Sequence, residues 1–181
     1  MEAGRLAGSR GTSNTKALTP VKKRCRPTWW SWRFQKIDVV ALTRAHQDHL
    51  GGLTAVLQNF RVGKPWIGRE VTSRAFAKLE DLARARGIPV EYEVRGKSFA
   101  WDGVEGQFFW PETSPRDIAP SAKNNDSLVL RLRFGKRTLL LPGDAEKDAE
   151  RAILGENGEA ELQADVLKVG HHGSVDSTGV R

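Results

Sequence analysis

The sequence has almost no cysteine and no long apolar stretch. Its 181 residues include one cysteine, Cys25, so no disulfide bond can form within the chain. The longest apolar runs, such as residues 37–42, have the length of a strand. They fall far short of the roughly 20 residues that a transmembrane helix needs. Residues 1–10 lack the apolar core of a secretory signal. We therefore expect no transmembrane segment and a reducing, cytoplasmic setting.

The positive charge of the chain is concentrated at its beginning. Residues 1–36 hold nine Lys/Arg and one acidic residue, whereas residues 37–181 hold twenty and twenty-one. A basic tail can add salt-sensitive affinity for nucleic-acid phosphates, but it can equally be a solvated, disordered segment. Length and a 39% hydrophobic content fit one globular domain. We expect a basic, disordered segment over residues 1–33 and a partial domain over residues 34–181.

Hydrophobic patterning after residue 36 predicts strands mixed with helices. The predicted strands cover residues 37–43, 65–67, 89–94, 98–110 (a hairpin), 127–134, 138–141 and 164–169. The predicted helices follow Gly51-Gly52 and cover residues 72–86 and 145–154. This mixture, with hairpins among the strands, predicts an α/β or α+β fold with a mixed sheet.

All four histidines lie in two clusters at the ends of predicted strands. In the first cluster His46, Asp48 and His49 follow a strand and precede Gly51-Gly52. Imidazole nitrogen together with carboxylate oxygen suits zinc, manganese or iron. The alternative for this cluster is a capped helix start whose histidines face solvent.

Two further strand ends carry the same types of side chain. Asp144 follows Gly143, where it can be a metal ligand or the N-cap of the next helix. His171 and His172 are flanked by glycines, and such pairs are seldom core residues. Three strand ends with histidine or aspartate predict a metal site more strongly than any one of them.

The order of these motifs resembles the metallo-β-lactamase superfamily. The motifs are His46-x-Asp48-His49 with Gly51-Gly52, then residues 124–130 (NNDSLVL), then Gly143-Asp144, then residues 171–174 (HHGS). More narrowly, they resemble the C-terminal hydrolase domain of ComEC-type DNA-uptake (competence) proteins over about residues 34–175. The resemblance implies an αββα sandwich with metals at one edge. It also implies a metal-activated water that attacks a phosphodiester of DNA.

The resemblance further implies a centre of one or two divalent ions, zinc or manganese. The implied ligands are His46 for the first ion, Asp48 and His49 for the second, Asp144 between them, and His171 or His172 to complete the second site. Asp48 and Asp144, as ligands of the ions, would be the catalytic residues. The ions would lower the pKa of a bound water and stabilise charge on phosphoryl oxygens. Asn125 and Ser174 would contact the substrate phosphate or orient ligands.

Arg44 departs from the family pattern, which has a histidine at this place. A guanidinium stays protonated and has no lone pair to give to a metal. We therefore expect a weakened or empty first site and a one-metal state. The alternative is that Arg44 clamps a substrate phosphate in place of the first ion.

The resemblance leaves three functions open for this chain. Family members have further strands before residues 37–43 and further structure after Ser174, so we expect an incomplete sandwich, truncated at both ends. The chain can be an active hydrolase of DNA phosphodiesters, an inactive truncated remnant, or a nucleic-acid-binding module that uses the basic tail. The implied partners are DNA and, because the domain often follows a membrane channel region, a membrane-channel protein that nothing in the sequence supports.

Overall fold

The computed structural model describes residues 35–112 and 118–177. The basic segment predicted for residues 1–33 lies outside these described residues. In the described part, strands form two sheets with helices packed beside them, which confirms the predicted mixture of strands and helices.

The smaller sheet has three parallel strands in the order β1-β2-β3. Its strands are β1 (Lys36–Leu42), β2 (Arg61–Ile67) and β3 (Glu91–Tyr92). Helices α1 (Gln47–Leu50) and α2 (Leu53–Asn59) connect β1 to β2, and α3 (Arg74–Ala85) connects β2 to β3. Parallel neighbours need such crossover connections, which place the carboxyl ends of the strands at the same edge of the sheet.

Helix α3 lies within the predicted range of residues 72–86 and has capping residues at both ends. The Ser73 side chain accepts a hydrogen bond from the backbone N–H of Phe76 over 3.1 Å, which is the geometry of an N-cap. Gly87, at φ 65°, follows the last turn. The buried face of the helix presents Phe76, Leu79 and Ala83 to the core of the smaller sheet.

The larger sheet has five strands in sequence order. They are β4 (Ser98–Trp101), β5 (Val104–Trp110), β6 (Val129–Phe134), β7 (Arg137–Leu141) and β8 (Val166–Leu167). Neighbours are antiparallel from β4 to β7, and β8 is parallel to β7. Helices α4 (Lys147–Asn157) and α5 (Glu159–Leu162) connect β7 to β8. Ala149 and Ile153 of α4 pack in one core with Phe109 and Val129.

The two sheets are joined by an apolar core and by a backbone hydrogen bond. Trp66 of the smaller sheet packs with Phe108 and Leu130 of the larger one. The N–H of Leu128 donates to the carbonyl of Thr43 over 2.8 Å. This contact brings the segment before β6 to the end of β1, where the first histidine cluster lies.

Two predicted strands are shorter than expected. Residues 89–94 form only Glu91–Tyr92, which pair with Trp66 and Ile67 of β2. Residues 164–169 form only Val166–Leu167, because Asp165 binds Thr138 through its side chain instead of continuing the ladder. The hairpin predicted at residues 98–110 is present, and β6 and β7 form a second hairpin. In the described part of the chain, no helix has both the length and the apolar character needed to cross a membrane.

Candidate metal centre

The loop after β1 brings the first cluster of side chains to the edge of the sheet. His46 has extended backbone at the N-cap of α1, and its carbonyl accepts the N–H of Leu50 over 2.8 Å. Asp48 and His49 therefore lie in the first turn of a short helix. This local geometry turns both side chains toward the ends of β7 and β8.

The loop after β7 holds Asp144 in a buried position. Gly143 has φ 59°, and a Cβ there would lie 2.9 Å from Cβ of Ser127, so both the conformation and the space require glycine. The N–H of Asp144 donates to Oγ of Ser127 over 3.0 Å. Asp144 is completely buried, and the N-cap of α4 is Glu146. The side chain of Asp144 faces His49 instead of capping the helix.

The loop after β8 gives the two neighbouring histidines different surroundings. His171 and His172 have φ 40° and 54°, the left-handed region that residues other than glycine rarely adopt. The N–H of His171 donates to the carbonyl of Gly143 over 3.1 Å and so ties this loop to the previous one. The ring of His172 then lies 5.6 Å from the ring of His49, centroid to centroid. Unusual backbone at a cluster of polar side chains is typical of functional sites.

Within the described residues, four ligand-type atoms lie within 4.8 Å of one another. They belong to Asp48, His49, Asp144 and His172, which we call the four-residue cluster. His49 Nε2 is 3.1 Å from Asp144 Oδ2 and 3.4 Å from Asp48 Oδ2. His172 Nε2 is 3.6 and 3.7 Å from the same two oxygens. Tetrahedral zinc with bonds of about 2.0–2.1 Å keeps its ligands about 3.3–3.4 Å apart, so one ion fits this cluster.

Two further observations test whether the cluster suits a cation. Asp144 Oδ1 is buried and has no hydrogen-bond partner among the described residues. Thr43 Oγ1 lies 2.7 Å from Nδ1 of His49, the nitrogen that points away from the carboxylates. Two imidazole nitrogens, two carboxylate oxygens and a hydrogen-bonded second nitrogen form a donor set that fits a divalent ion such as zinc or manganese.

Arg44 lies inside the centre, against the carboxylates. Its Nη2 forms an ion pair with Asp144 Oδ2 at 2.8 Å and donates a hydrogen bond to Asp48 Oδ2 over 3.2 Å. The side chain is 4% exposed, so the guanidinium faces the cluster and not the solvent. Its Nε and Nη1 are buried without a hydrogen-bond partner in the described part of the chain. Direct clamping of a substrate phosphate by Arg44 stays a prediction.

The pKa shifts of His49 and Asp48 favour the binding of a cation. Burial lowers the pKa of His49; Asp144 opposes this effect and the charge of Arg44 adds to it. Burial acts to raise the pKa of Asp48, but His49, a backbone N–H and Arg44 outweigh it, and the pKa lies below its ordinary value. Near neutral pH the imidazole of His49 is therefore uncharged and the carboxyl of Asp48 is ionised.

Two of the predicted metal ligands lie outside the four-residue cluster. His46 donates from Nε2 to the carbonyl of Ala122 over 2.8 Å. His171 Nδ1 lies 3.8 Å from Glu146 Oε1, on the other side of its loop. The structure therefore brings His172, and not His171, to the partners of His49.

The two predicted substrate contacts are engaged in local structure. Asn125 Oδ1 accepts the N–H of Glu146 over 2.8 Å and so holds the start of α4. Ser174 donates its N–H to the carbonyl of His171, and its Oγ accepts the N–H of Asp176. Contacts of either residue with a substrate stay predictions.

Sequence reasoning missed three residues that support the centre. Thr43 contacts His49, and Ser127 accepts a hydrogen bond from the backbone N–H of Asp144. Gly143 forms the tight turn directly before Asp144. Each lies within or beside a motif that was recognised, so its position was the available signal. Their roles depend on contacts between strand ends and loops that the sequence does not show to be neighbours.

Comparisons with known proteins identify the family of this chain. The sequence model of the metallo-beta-lactamase superfamily matches residues 8–180. ComE operon protein 3 of Bacillus subtilis is 35% identical over 146 residues, and competence protein ComA of Neisseria gonorrhoeae is 29% identical over 151 residues. These matches cover 80% and 81% of this chain, and the chain spans 18% of the length of either relative. The resemblance to ComEC-type competence proteins is thus confirmed.

A solved structure also aligns with the chain. It is the crystal structure of CmlA, a diiron beta-hydroxylase from Streptomyces venezuelae, at 18% identity and a TM-score of 0.45. The alignment covers 74% of this chain and 25% of that one. The family match covers residues 8–180, which include both histidine clusters and Asp144. The chain belongs to the metallo-β-lactamase superfamily.

Proposed function

We propose that this chain is a metal-dependent hydrolase that acts on phosphodiesters of DNA. The observation that carries the proposal is the four-residue cluster, in which two imidazoles and two carboxylates from three separate strand ends point at one position. Structural ion pairs rarely collect two histidines in such an arrangement, and His172 lies in a loop with unusual backbone.

The four residues would hold a single divalent ion, zinc or manganese. Such an ion supplies a water of lowered pKa and a positive charge for the phosphoryl oxygens of the substrate. Asp144 and His49 are positioned by buried hydrogen bonds, which favours a fixed geometry. His172 is 65% exposed at its side chain and Asp48 53%, so the side of the cluster that they form is open to solvent and to a substrate.

Arg44 would supply a second positive charge beside the ion. It stands at the place where the family pattern has a histidine, and its Nη2 contacts both carboxylates of the cluster. With Arg44 there and His46 bound to a backbone carbonyl, the described residues favour one ion over two.

DNA as the substrate is supported by the relatives and not by the site itself. One relative is named a competence protein, and the same donor set serves several ester and amide substrates across a fold. The chain spans only 18% of the length of that relative, so the activity of the whole relative does not carry over directly. We therefore include action in DNA uptake beside a membrane channel only as part of this proposal.

A hydrolysis assay with defined metal content tests the proposal. The chain is stripped with EDTA, reloaded with zinc or manganese, and assayed on bis(p-nitrophenyl) phosphate and on single- and double-stranded DNA. We expect metal-dependent hydrolysis that falls at least a hundredfold in Asp144→Asn and His172→Ala. Asp81→Asn, an exposed carboxylate on α3 that pairs with Arg84, is the matched control and should retain full activity. Metal-loaded protein that hydrolyses none of these substrates would contradict the proposal.

A second candidate is a metal-binding remnant without catalysis. The ion pair between Arg44 and Asp144 favours it, because one carboxylate oxygen of the cluster is already shared with a guanidinium. The same assay separates the two candidates, since the remnant would bind an ion and leave every substrate intact.

A further inference from the structure

The closest ion pair in the centre joins two buried charges. Arg44 Nη2 and Asp144 Oδ2 are 2.8 Å apart, and the two side chains are 4% and 0% exposed. Water cannot screen a carboxylate at that depth, so removing its partner charge leaves an ion whose burial is strongly unfavourable. An ionised Asp144 therefore needs a cation beside it in the folded chain.

We propose that Arg44 is an internal cation that neutralises Asp144 when no metal is bound, so that the chain folds with or without its ion. The same charge weakens the binding of a metal at the four-residue cluster. The weakening of metal binding rests on the proposed function, whereas the neutralisation of Asp144 does not.

The contacts of Arg44 show why metal and guanidinium compete. Asp144 Oδ2 forms an ion pair with Arg44 and is also one of the four ligand-type atoms. Asp48 Oδ2 accepts a hydrogen bond from Arg44 and is another of these atoms. A divalent ion at the cluster would lie close to the guanidinium, and repulsion between like charges is strong where water is excluded.

Charge, more than shape, accounts for the presence of an arginine here. Nη2 donates to Asp48 and forms the ion pair with Asp144, while Nε and Nη1 have no hydrogen-bond partner among the described residues. A guanidinium chosen for its planar fork would use a second nitrogen on a carboxylate. Methionine, which has similar length and no charge, is therefore the most informative replacement.

The first experiment compares thermal unfolding of three proteins in EDTA. We expect the Tm of Arg44→Met to lie roughly 10 °C below that of the wild type, because one charge of a buried pair is left unpaired. The double variant Arg44→Met/Asp144→Asn should recover at least half of that loss, since the unpaired charge is gone. A single variant as stable as the wild type, or a double variant no better than the single one, would overturn the proposal. If Arg44→Met does not fold in EDTA, folding of the double variant is the supporting result and its failure the contradicting one.

Zinc provides the complementary readout. Addition of zinc should raise the Tm of Arg44→Met by more than it raises that of the wild type, because the ion replaces the lost charge. Arg69→Met is the matched control: Arg69 pairs with Asp126 at 2.8 Å, outside the four-residue cluster. Its Tm should fall, with no greater response to zinc than the wild type shows. An equal restoration of both variants by zinc would contradict a specific role of Arg44.

Calorimetric titration with zinc alone tests the affinity. We expect Arg44→Met to bind zinc at least tenfold more tightly than the wild type, and Arg44→Lys, which keeps the charge, to resemble the wild type. Equal or weaker binding by Arg44→Met would contradict this half of the proposal. Absence of zinc binding in all three proteins would contradict the proposed function as well, whereas the melting temperatures in EDTA would still decide the role of Arg44 as counter-ion.

Discussion

Thr43 Oγ1 lies 2.7 Å from Nδ1 of His49, while Nε2 of the same ring faces the carboxylates of Asp48 and Asp144. A ring that gives the lone pair of Nε2 to a metal carries its proton on Nδ1, and that proton then has Thr43 Oγ1 as its acceptor. Thr43 thus selects the tautomer and the orientation of His49, which lies six residues later in the chain.

Replacing Thr43 by valine tests this relationship. The side chain keeps its shape but loses the acceptor for Nδ1, so zinc affinity should fall by about 10- to 100-fold. Calorimetric titration measures the change, with Thr54→Val on α2 as the control that should bind zinc as the wild type does. Unchanged affinity in Thr43→Val would show that Thr43 does not orient His49.

Gly143 provides a prediction about stability. An alanine there would need a positive φ and would place its Cβ 2.9 Å from Cβ of Ser127 and 3.0 Å from the carbonyl oxygen of Leu128. We expect Gly143→Ala to lower the free energy of unfolding by about 2–4 kcal/mol. Gly155 in α4 is the matched control, because nothing lies within 4 Å of a Cβ there. Gly155→Ala should raise stability by about 0.5–1 kcal/mol, and urea denaturation measures both. Equal effects would contradict the tight approach at Gly143.

Tyr92 gives a pH prediction that one absorbance signal can follow, because it is the single tyrosine of the chain. Burial raises its pKa, and so do the carboxylates of Glu80 and Glu70 that accept from its hydroxyl. Since the folded pKa is above the unfolded one, the stability it provides is complete below about pH 10 and is lost as the pH rises further. Titration at 295 nm should show a higher midpoint in buffer than in urea. Above pH 10, Tyr92→Phe should lose less stability than the wild type; coinciding midpoints would contradict the prediction.

Substitution of Asn125 distinguishes a structural role of this residue from a role in substrate binding. Its Oδ1 accepts the N–H of Glu146, so Asn125→Ala should lower the free energy of unfolding by about 1 kcal/mol and leave zinc affinity unchanged. Urea denaturation and calorimetry give the two values. A variant of undiminished stability that hydrolyses its substrate more slowly would instead favour the contact with phosphate that the family resemblance implies.

Much of the fold and the general position of the site could be predicted from the sequence. Apolar runs such as residues 37–43 end abruptly at polar motifs, and that change marks both the strand and the start of the loop. The short strands β3 and β8 were less predictable, because their lengths depend on how far the neighbouring strand pairs with them. An alternating pattern such as that of residues 89–94 predicts a strand, but it does not indicate which strand pairs with it or over what length.

The composition of the cluster was harder to predict than its existence. His171 and His172 are equivalent by type and neighbours, and only the left-handed backbone of both residues decides which ring reaches His49. The sequence also shows that Arg44 cannot bind a metal. It does not show that the guanidinium turns inward to Asp144, because that depends on the distant turn at Gly143.

The central claim is that Asp48, His49, Asp144 and His172 form a site for one divalent ion. Measuring bound zinc by inductively coupled plasma mass spectrometry, after dialysis against a small excess of the ion, tests it most directly. We predict one ion per chain in the wild type and close to none in the double variant His49→Ala/His172→Ala. A wild type that retains no zinc or two ions per chain, or a double variant with the same content as the wild type, would contradict the claim.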